Sequence, residues 1–113
     1  MEHVGPLYAL ADVRQVLVTG KVTFSFDAEA DYQQLGLSKD EALACIEALL
    51  PSEYRKTLSY EGLQPFDDYL TGPQKVPAEP RHVRLYIKFR IPSPSCVCQL
   101  YVTSFHKSDA INL

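Results

Sequence analysis

The first half of the chain has apolar residues at helical spacing. In LYALADVRQVLVTGK one stripe contains Leu7, Leu10, Val13, Val16 and Leu17, which predicts a helix that ends at Gly20. DAEADYQQLGL predicts a shorter helix closed by Gly36. SKDEALACIEALLP predicts a third helix, because Ser38 and Glu41 have the spacing of a capping box and Pro51 stops the helix.

The second half changes to the period of two that is typical of β-strands. In HVRLYIKFRI the apolar residues Val83, Leu85, Ile87, Phe89 and Ile91 alternate with Arg84, Tyr86, Lys88 and Arg90. This alternation predicts a strand with three cations and one phenol in a row on one surface. PSPS predicts a turn, and CVCQLYVTSFHK predicts the returning strand of an antiparallel hairpin, with one face made of Cys98, Leu100, Val102, Ser104 and His106. The short segments 54–60 and 66–70 are consistent with two strands or with a strand and a loop, and the proline-rich segment 71–80 predicts an exposed loop.

Helices followed by strands favour an α+β fold, with N-terminal helices packed on one side of a C-terminal antiparallel sheet. The length of 113 residues predicts a single domain over 1–113, helical over 1–53 and sheet-forming over 54–113. We expect no membrane association, since no apolar stretch could cross a bilayer and MEHVGPLYAL lacks the features of a signal peptide. Three cysteines, an odd number, indicate a reduced, cytoplasmic protein.

The charge of the chain is divided unevenly between its halves. The net charge is −3, which argues against nucleic acid as a partner. Residues 1–53 hold nine acidic and three basic residues, whereas residues 54–113 hold five acidic and eight basic residues. The asymmetry indicates a basic surface in the second half, or merely acidic helices beside strands rich in Lys and Arg.

The motifs of metal and cofactor sites are missing from the sequence. Cys96 and Cys98 fit a predicted strand and are expected to be core thiols, and the histidines have no ligand spacing. There is no Gly-rich phosphate loop and no nucleophile signature. Asp67 and Asp68 are adjacent, so in a strand they point to opposite faces and cannot form a close dyad; a solvated turn is expected there. The sequence predicts neither a metal nor a cofactor.

A basic and aromatic surface remains as the candidate site. It comprises Arg55, Lys56, Arg84, Tyr86, Lys88, Arg90, His106 and Lys107. Cations bind phosphates and aromatic rings stack on single-stranded bases. RNA supplies its own 2′-hydroxyl nucleophile, so cleavage needs a base, an acid and cations that stabilise the charged phosphorus centre. The alternative is an ordinary solvated strand face.

The order of these segments resembles the MqsR family of toxins, ribonucleases of a bacterial type II toxin–antitoxin system with a RelE-like fold. LADVRQVLVTGKVTFSFDAEADYQQLGLSKDEALACIEALL is similar to the family's opening, in which a helix ends in a Gly-x-Val step and a second closes on Leu-Gly-Leu. EYRKTLSY resembles its Phe-Tyr-Lys-Ser-Met stretch, and PFDDYL takes the place of Trp-Gln-Asp-Val-Tyr. RLYIKFRI and VTSFHKS resemble its Leu-Tyr-Leu-Lys and Ser-Phe-Lys strands.

The resemblance implies specific catalytic residues. The family's active lysine falls on Lys56 and its functional tyrosine on Tyr86. Its active glutamine falls on Asp67, a departure, since a carboxylate there would repel phosphate unless it is protonated or acts as a base. Its C-terminal lysine falls on His106, or on Lys107 with a shift of one residue. RelE-like nucleases often use such a histidine, and an imidazole is a competent acid or base near neutrality.

The expected function is therefore that of an mRNA interferase that cleaves single-stranded mRNA without metal and is restrained by a cognate antitoxin protein. Arg55, Arg84, Lys88 and Arg90 are expected to bind RNA, and Lys56, Asp67, Tyr86, His106 and Lys107 to form the catalytic group. The main alternative is a non-catalytic relative that acts as a protein-interaction module, which Asp67 and the net charge of −3 favour. An enzyme acting on a small anionic substrate is a third alternative.

Overall fold

A computed structural model describes residues 5–93 and 95–108 and shows an α+β arrangement. Its helices are α1 (Leu10–Thr19), α2 (Phe26–Gln34) and α3 (Lys39–Glu47), and a single 3₁₀ turn spans Pro51–Glu53. Its strands are β1 (Lys21–Phe24), β2 (Tyr54–Leu58), β3 (Phe66–Leu70), β4 (Leu85–Arg90) and β5 (Gln99–Lys107). The strands form one sheet in the order β1-β5-β4-β3-β2.

Local hydrogen bonds explain where the predicted helices begin and end. The Ser38 hydroxyl accepts from the Glu41 amide at 3.1 Å, and the Glu41 carboxylate accepts from the Ser38 amide at 2.9 Å, which confirms the capping box of α3. The Ser25 hydroxyl caps α2 in the same way. After α2 the chain turns at Gly36, whose φ of +81° favours glycine.

The sheet is mixed, so the prediction of a purely antiparallel sheet is wrong. Strands β2 to β5 pair antiparallel, but β1 joins the edge of β5 in parallel, with Lys21 opposite Gln99 and Phe24 opposite Val102. The sequence indicated only that Lys21 follows the first helix. A four-residue strand is too short for its alternation to be recognised without the partner strand.

The helices pack on one face of the sheet. That covered face contributes Leu85, Ile87 and Phe89 of β4 to a core shared with side chains such as Val16 of α1 and Ile46 of α3. Alternate residues of the same strands face the other way. We call this second surface the open face; its members are Lys56, Phe66, Asp68, Leu70, Arg84, Tyr86, Lys88, Arg90, Tyr101, Ser104 and His106.

A β-bulge in β5 divides residues that were predicted to share one face. Lys88 lies opposite Ser104, yet Phe89 lies opposite Val102, so Thr103 is an extra residue. The alternation shifts by one at that point. Leu100 and Val102 are buried in the core, whereas Ser104 and His106 belong to the open face.

Two further expectations about loops are corrected. Cys96 and Cys98 precede β5 and are exposed, so they are not core thiols; the predicted PSPS turn includes residue 94, which lies outside the described residues. The proline-rich segment 71–80 is irregular as predicted, but it is anchored. Val76 is buried, and the Ala78 amide donates to the Leu35 carbonyl at 3.1 Å.

Candidate nucleic-acid interface

A buried carboxylate lies at the centre of the open face. Asp68 of β3 has no exposed surface. Its Oδ2 accepts a hydrogen bond of 2.7 Å from the Tyr86 hydroxyl, and its Oδ1 accepts one of 3.2 Å from the Lys56 backbone amide. The Tyr86 ring in turn stacks on His106, with centroids 5.1 Å apart and an interplanar angle of 23°. Asp68 therefore links Lys56 of β2 to Tyr86 of β4, and the Tyr86 ring contacts His106 of β5.

The Tyr86 phenol stays protonated well beyond neutral pH. Burial of the ring raises its pKa above the ordinary value, and the hydrogen bond to Asp68 raises it further. The positive charge of Arg55 opposes these effects but is the smaller influence. Tyr86 is thus a neutral donor to Asp68 rather than a ready base.

Two cations of the open face lie over aromatic rings. The Lys88 Nζ is 5.3 Å from the centroids of both Tyr60 and Phe66. The Arg90 guanidinium lies between Phe66 and Tyr101, at 5.0 and 5.2 Å from their centroids. Ring faces attract cations without neutralising them, so both side chains keep a full charge for an anionic ligand.

Two arginines line a groove at one end of the open face. Arg55 is the extra residue at a β-bulge in β2, and with Arg84, Leu70 and Gly72 it borders a cavity of about 440 Å³. One carboxylate, Glu53, also lines this groove. Its two oxygens accept hydrogen bonds from the amides of Leu50 at 2.9 Å and Gly72 at 2.8 Å.

The cations on this side of the sheet have no carboxylate partners. Within residues 5–93 and 95–108 one salt bridge is formed, of 2.6 Å between Lys107 and Glu79. It involves none of Arg55, Lys56, Arg84, Lys88 and Arg90. A chain with a net charge of −3 thus has, within the described residues, five cations without a salt bridge on one side of its sheet. Such a surface is suited to polyanions.

The structure places Asp67 on the covered face, away from the open face that carries the other candidate residues. Asp67 lies opposite Phe89 on the covered face and has no exposed surface. Its carboxylate accepts hydrogen bonds from the amides of Leu7 and Tyr8 and from the Thr57 hydroxyl. The prediction of a solvated turn at Asp67 and Asp68 is wrong, since both carboxylates are buried in β3.

Lys107 is likewise separated from the open face. It lies opposite the core residue Leu85, and its ammonium group forms the ion pair with Glu79. It lines a cavity together with Asp31 and Gln34 of α2 and with His106, whose imidazole also stacks on Tyr86. Of the two C-terminal candidates, only His106 is therefore close to Tyr86. The imidazole Nδ1 lies 3.0 Å from the Lys107 carbonyl oxygen, an arrangement that leaves Nε2 for other partners.

Sequence reasoning missed the role of Asp68. The same period of two that places Tyr86 outward could have indicated one outward carboxylate in PFDDYL, but the choice between Asp67 and Asp68 depends on the register of β3 against β4. Phe66 and Tyr101, the rings beside Arg90, were missed for the same reason.

Neither a metal site nor a membrane-spanning helix is found among the described residues, and comparisons with protein families and curated proteins give no match. In the described part of the chain no three His, Cys, Asp or Glu side chains are grouped so that they could hold a metal ion. No helix among the described residues has the length and apolar character needed to span a bilayer. No protein-family model matches the chain, and no curated protein matches it.

Proposed function

We propose that the chain is a metal-independent endoribonuclease that binds single-stranded mRNA on the open face, in line with its resemblance to the MqsR family. The observation that carries the proposal is that Lys56, Tyr86 and His106 share the open face, where Asp68 is hydrogen-bonded to the Tyr86 hydroxyl and the Lys56 backbone amide. Beside them lie cations that form no salt bridge within residues 5–93 and 95–108. This arrangement supplies phosphate-binding charge and a proton-transfer group on one surface.

Each side chain of the site has a role in this proposal. Arg55 and Arg84 bind a phosphate in their groove, and the cations over aromatic rings, Lys88 and Arg90, bind the phosphates that follow along the strand. Lys56 stabilises the charge that develops on the scissile phosphate. His106, exposed and next to Tyr86, transfers a proton to or from the reacting oxygens.

The proposed reaction is an attack of the ribose 2′-oxygen on the neighbouring phosphorus. The bond from phosphorus to the 5′-oxygen breaks, and that oxygen takes up a proton. The products are a 2′,3′-cyclic phosphate and a 5′-hydroxyl end. The proposed setting is the cytoplasm, where a cognate antitoxin protein would restrain the enzyme.

Cleavage of a labelled single-stranded RNA in the presence of a chelator tests the proposal. We expect cleavage that leaves a 2′,3′-cyclic phosphate, and a loss of roughly 100-fold or more in kcat/KM for His106→Ala, the size of a general acid–base contribution. Lys56→Ala should reduce kcat/KM by about 100- to 1,000-fold, as loss of transition-state charge stabilisation does. The matched control is Lys39→Ala, an exposed lysine at the start of α3, which should leave cleavage unchanged.

A protein-interaction module is the second candidate function, and the acidic residues of α2, such as Asp27 and Glu29, favour it. Such a module would bind a partner protein and leave RNA intact. Induced expression separates the two candidates in cells, because a toxin halts growth and Lys56→Ala relieves the arrest. Growth that continues normally while the folded protein accumulates would contradict the ribonuclease proposal.

A further inference from the structure

The hydrogen of the Tyr86 hydroxyl group is committed to Asp68. The Tyr86 hydroxyl donates to the Asp68 Oδ2 atom across a contact of 2.7 Å. The other carboxylate oxygen accepts from the Lys56 amide. A phenol has one hydrogen, and once it is donated the oxygen offers only lone pairs to any further partner. While it is bonded to Asp68, Tyr86 can therefore accept a hydrogen bond from a ligand but cannot donate one.

We propose that Asp68 is a positioning residue that makes Tyr86 an acceptor for the ribose 2′-hydroxyl group. This inference rests on the ribonuclease function proposed above. A phosphate oxygen is itself an acceptor and is poorly matched to such a phenol, whereas a 2′-hydroxyl has a hydrogen to donate. Lys56 and Arg55, on β2 at the edge of the sheet, take the phosphate. The site thus separates the recognition of sugar and phosphate, and DNA, which lacks the 2′-hydroxyl, loses one contact.

Neighbouring contacts keep the phenol in this orientation. The ring is half-buried and stacked on His106, which limits its rotation. Asp68 has no exposed surface and is held from its other side by the backbone of β2. A carboxylate that is buried and engaged twice cannot turn to follow a ligand. The acceptor is therefore oriented before any ligand arrives.

Asp68→Asn gives the sharpest perturbation because it keeps the shape and reverses the polarity. The asparagine oxygen has to stay on the Lys56 amide, which is a donor, so the amide nitrogen faces Tyr86. That NH₂ group donates to the phenolic oxygen, and the Tyr86 hydrogen turns outward. Asp27→Asn is the matched control, since it removes the same charge from an exposed position in α2.

Binding of small nucleotides measures the sugar contact without cleavage. The probes are ribonucleoside 3′-monophosphates and their 2′-deoxy counterparts, compared by calorimetry or NMR titration. We expect the unmodified protein to bind the ribonucleotides roughly two- to tenfold more tightly, the effect of one hydrogen bond. Asp68→Asn should move that ratio towards one, because the outward Tyr86 hydrogen can also bind the phosphate that both probes carry, while Asp27→Asn should keep the ratio. Lys56→Ala should weaken both probes alike.

Tyr86→Phe covers the case in which Asp68→Asn does not fold. It removes the hydroxyl group and leaves Asp68 in contact with the Lys56 amide, and it should bring the ratio close to one. A preference for ribonucleotides that survives in Tyr86→Phe would overturn the inference. So would equal binding of both probes by the unmodified protein.

A pH titration of the tyrosine rings by NMR tests the Asp68 contact independently of any nucleotide. In Asp68→Asn the Tyr86 signals should begin to shift at a lower pH, because the carboxylate that raises the Tyr86 pKa is gone. An unchanged Tyr86 titration would overturn the positioning role. If the protein fails to cut RNA but keeps both the sugar preference and this titration change, the ribonuclease proposal fails while the Tyr86–Asp68 site stands.

Discussion

Replacement of Asp67 tests whether this residue is structural, as its surroundings indicate, or catalytic, as the family resemblance implied. The carboxylate accepts three hydrogen bonds, from the Leu7 amide at 3.0 Å, the Tyr8 amide at 2.8 Å and the Thr57 hydroxyl at 2.6 Å. They attach the segment before α1 to the hairpin of β2 and β3. In Asp67→Asn the amide oxygen can satisfy Leu7 and Thr57, but the NH₂ group then faces the Tyr8 amide, and two donors oppose each other.

The magnitude follows from that one mismatch. Loss of a hydrogen bond to a charged group costs about 1.5–3 kcal/mol, and a buried donor left without a partner costs about 1–3 kcal/mol. The two costs overlap, so we expect a decrease of about 3 kcal/mol in the free energy of unfolding. For a chain of this length that corresponds to a decrease in Tm of about 12 °C. Urea unfolding followed by circular dichroism gives the first quantity, and a thermal scan gives the second.

The same Asp67→Asn sample should cut RNA normally per folded molecule at a temperature well below its Tm. Glu61→Gln, an exposed site in the turn after β2, is the control and should change stability by less than about 0.5 kcal/mol. A variant that keeps full stability but loses cleavage would refute this reasoning and return Asp67 to the catalytic group. Loss of stability with cleavage intact would support its structural role.

Two further predictions concern the core. The Tyr69 Oη is buried and has no hydrogen-bond partner among the described residues, so Tyr69→Phe should raise the free energy of unfolding by about 1 kcal/mol at neutral pH, measured in urea. Burial raises the pKa of Tyr69 to about 12, so the folded state holds the phenol proton more tightly than the unfolded state does. The contribution of this proton to the free energy of unfolding is therefore complete below about pH 10 and is lost as the pH rises towards 12. Tyr69→Phe should flatten that alkaline decline, and an unchanged slope would contradict the assignment. Gly36→Ala should lower the free energy of unfolding by at least about 1 kcal/mol, because φ is +81° and the new Cβ would lie 2.9 Å from the Pro77 Cβ; a neutral effect would count against this turn.

Local signals in the sequence predicted most of the helices and the central strands. The capping box at Ser38 and the alternation around Tyr86 depend on residues close together in the chain, and both are confirmed. The parallel pairing of β1 with β5 could not be predicted in this way, because it joins Lys21 to Gln99 across most of the chain. Nor could the bulge at Thr103, whose position is set by the partner strand.

The sequence likewise predicted part of the candidate site, namely the residues whose outward direction follows from strand alternation. Lys56, Tyr86 and His106 come from strands whose outward faces follow from alternation, and they share one surface. Asp67 and Asp68 could not be told apart, because a change of one residue in register exchanges the two faces. Lys107 was a candidate only because the resemblance allowed a shift of one residue from His106. The ion pair with Glu79 became visible only in three dimensions.

The two adjacent carboxylates explain how an acidic chain can present a basic surface. The Asp67 carboxylate accepts hydrogen bonds on the covered face, and the Asp68 carboxylate accepts hydrogen bonds from the Tyr86 hydroxyl and the Lys56 backbone amide. Neither neutralises a cation, so both are compatible with a basic open face. Lys88 and Arg90 are held by aromatic rings, which position a cation without a competing anion. The negative charge lies largely on the helical half of the chain. Net charge is therefore a poor guide to the partner here, and the distribution of unpaired charge on the open face is the better one.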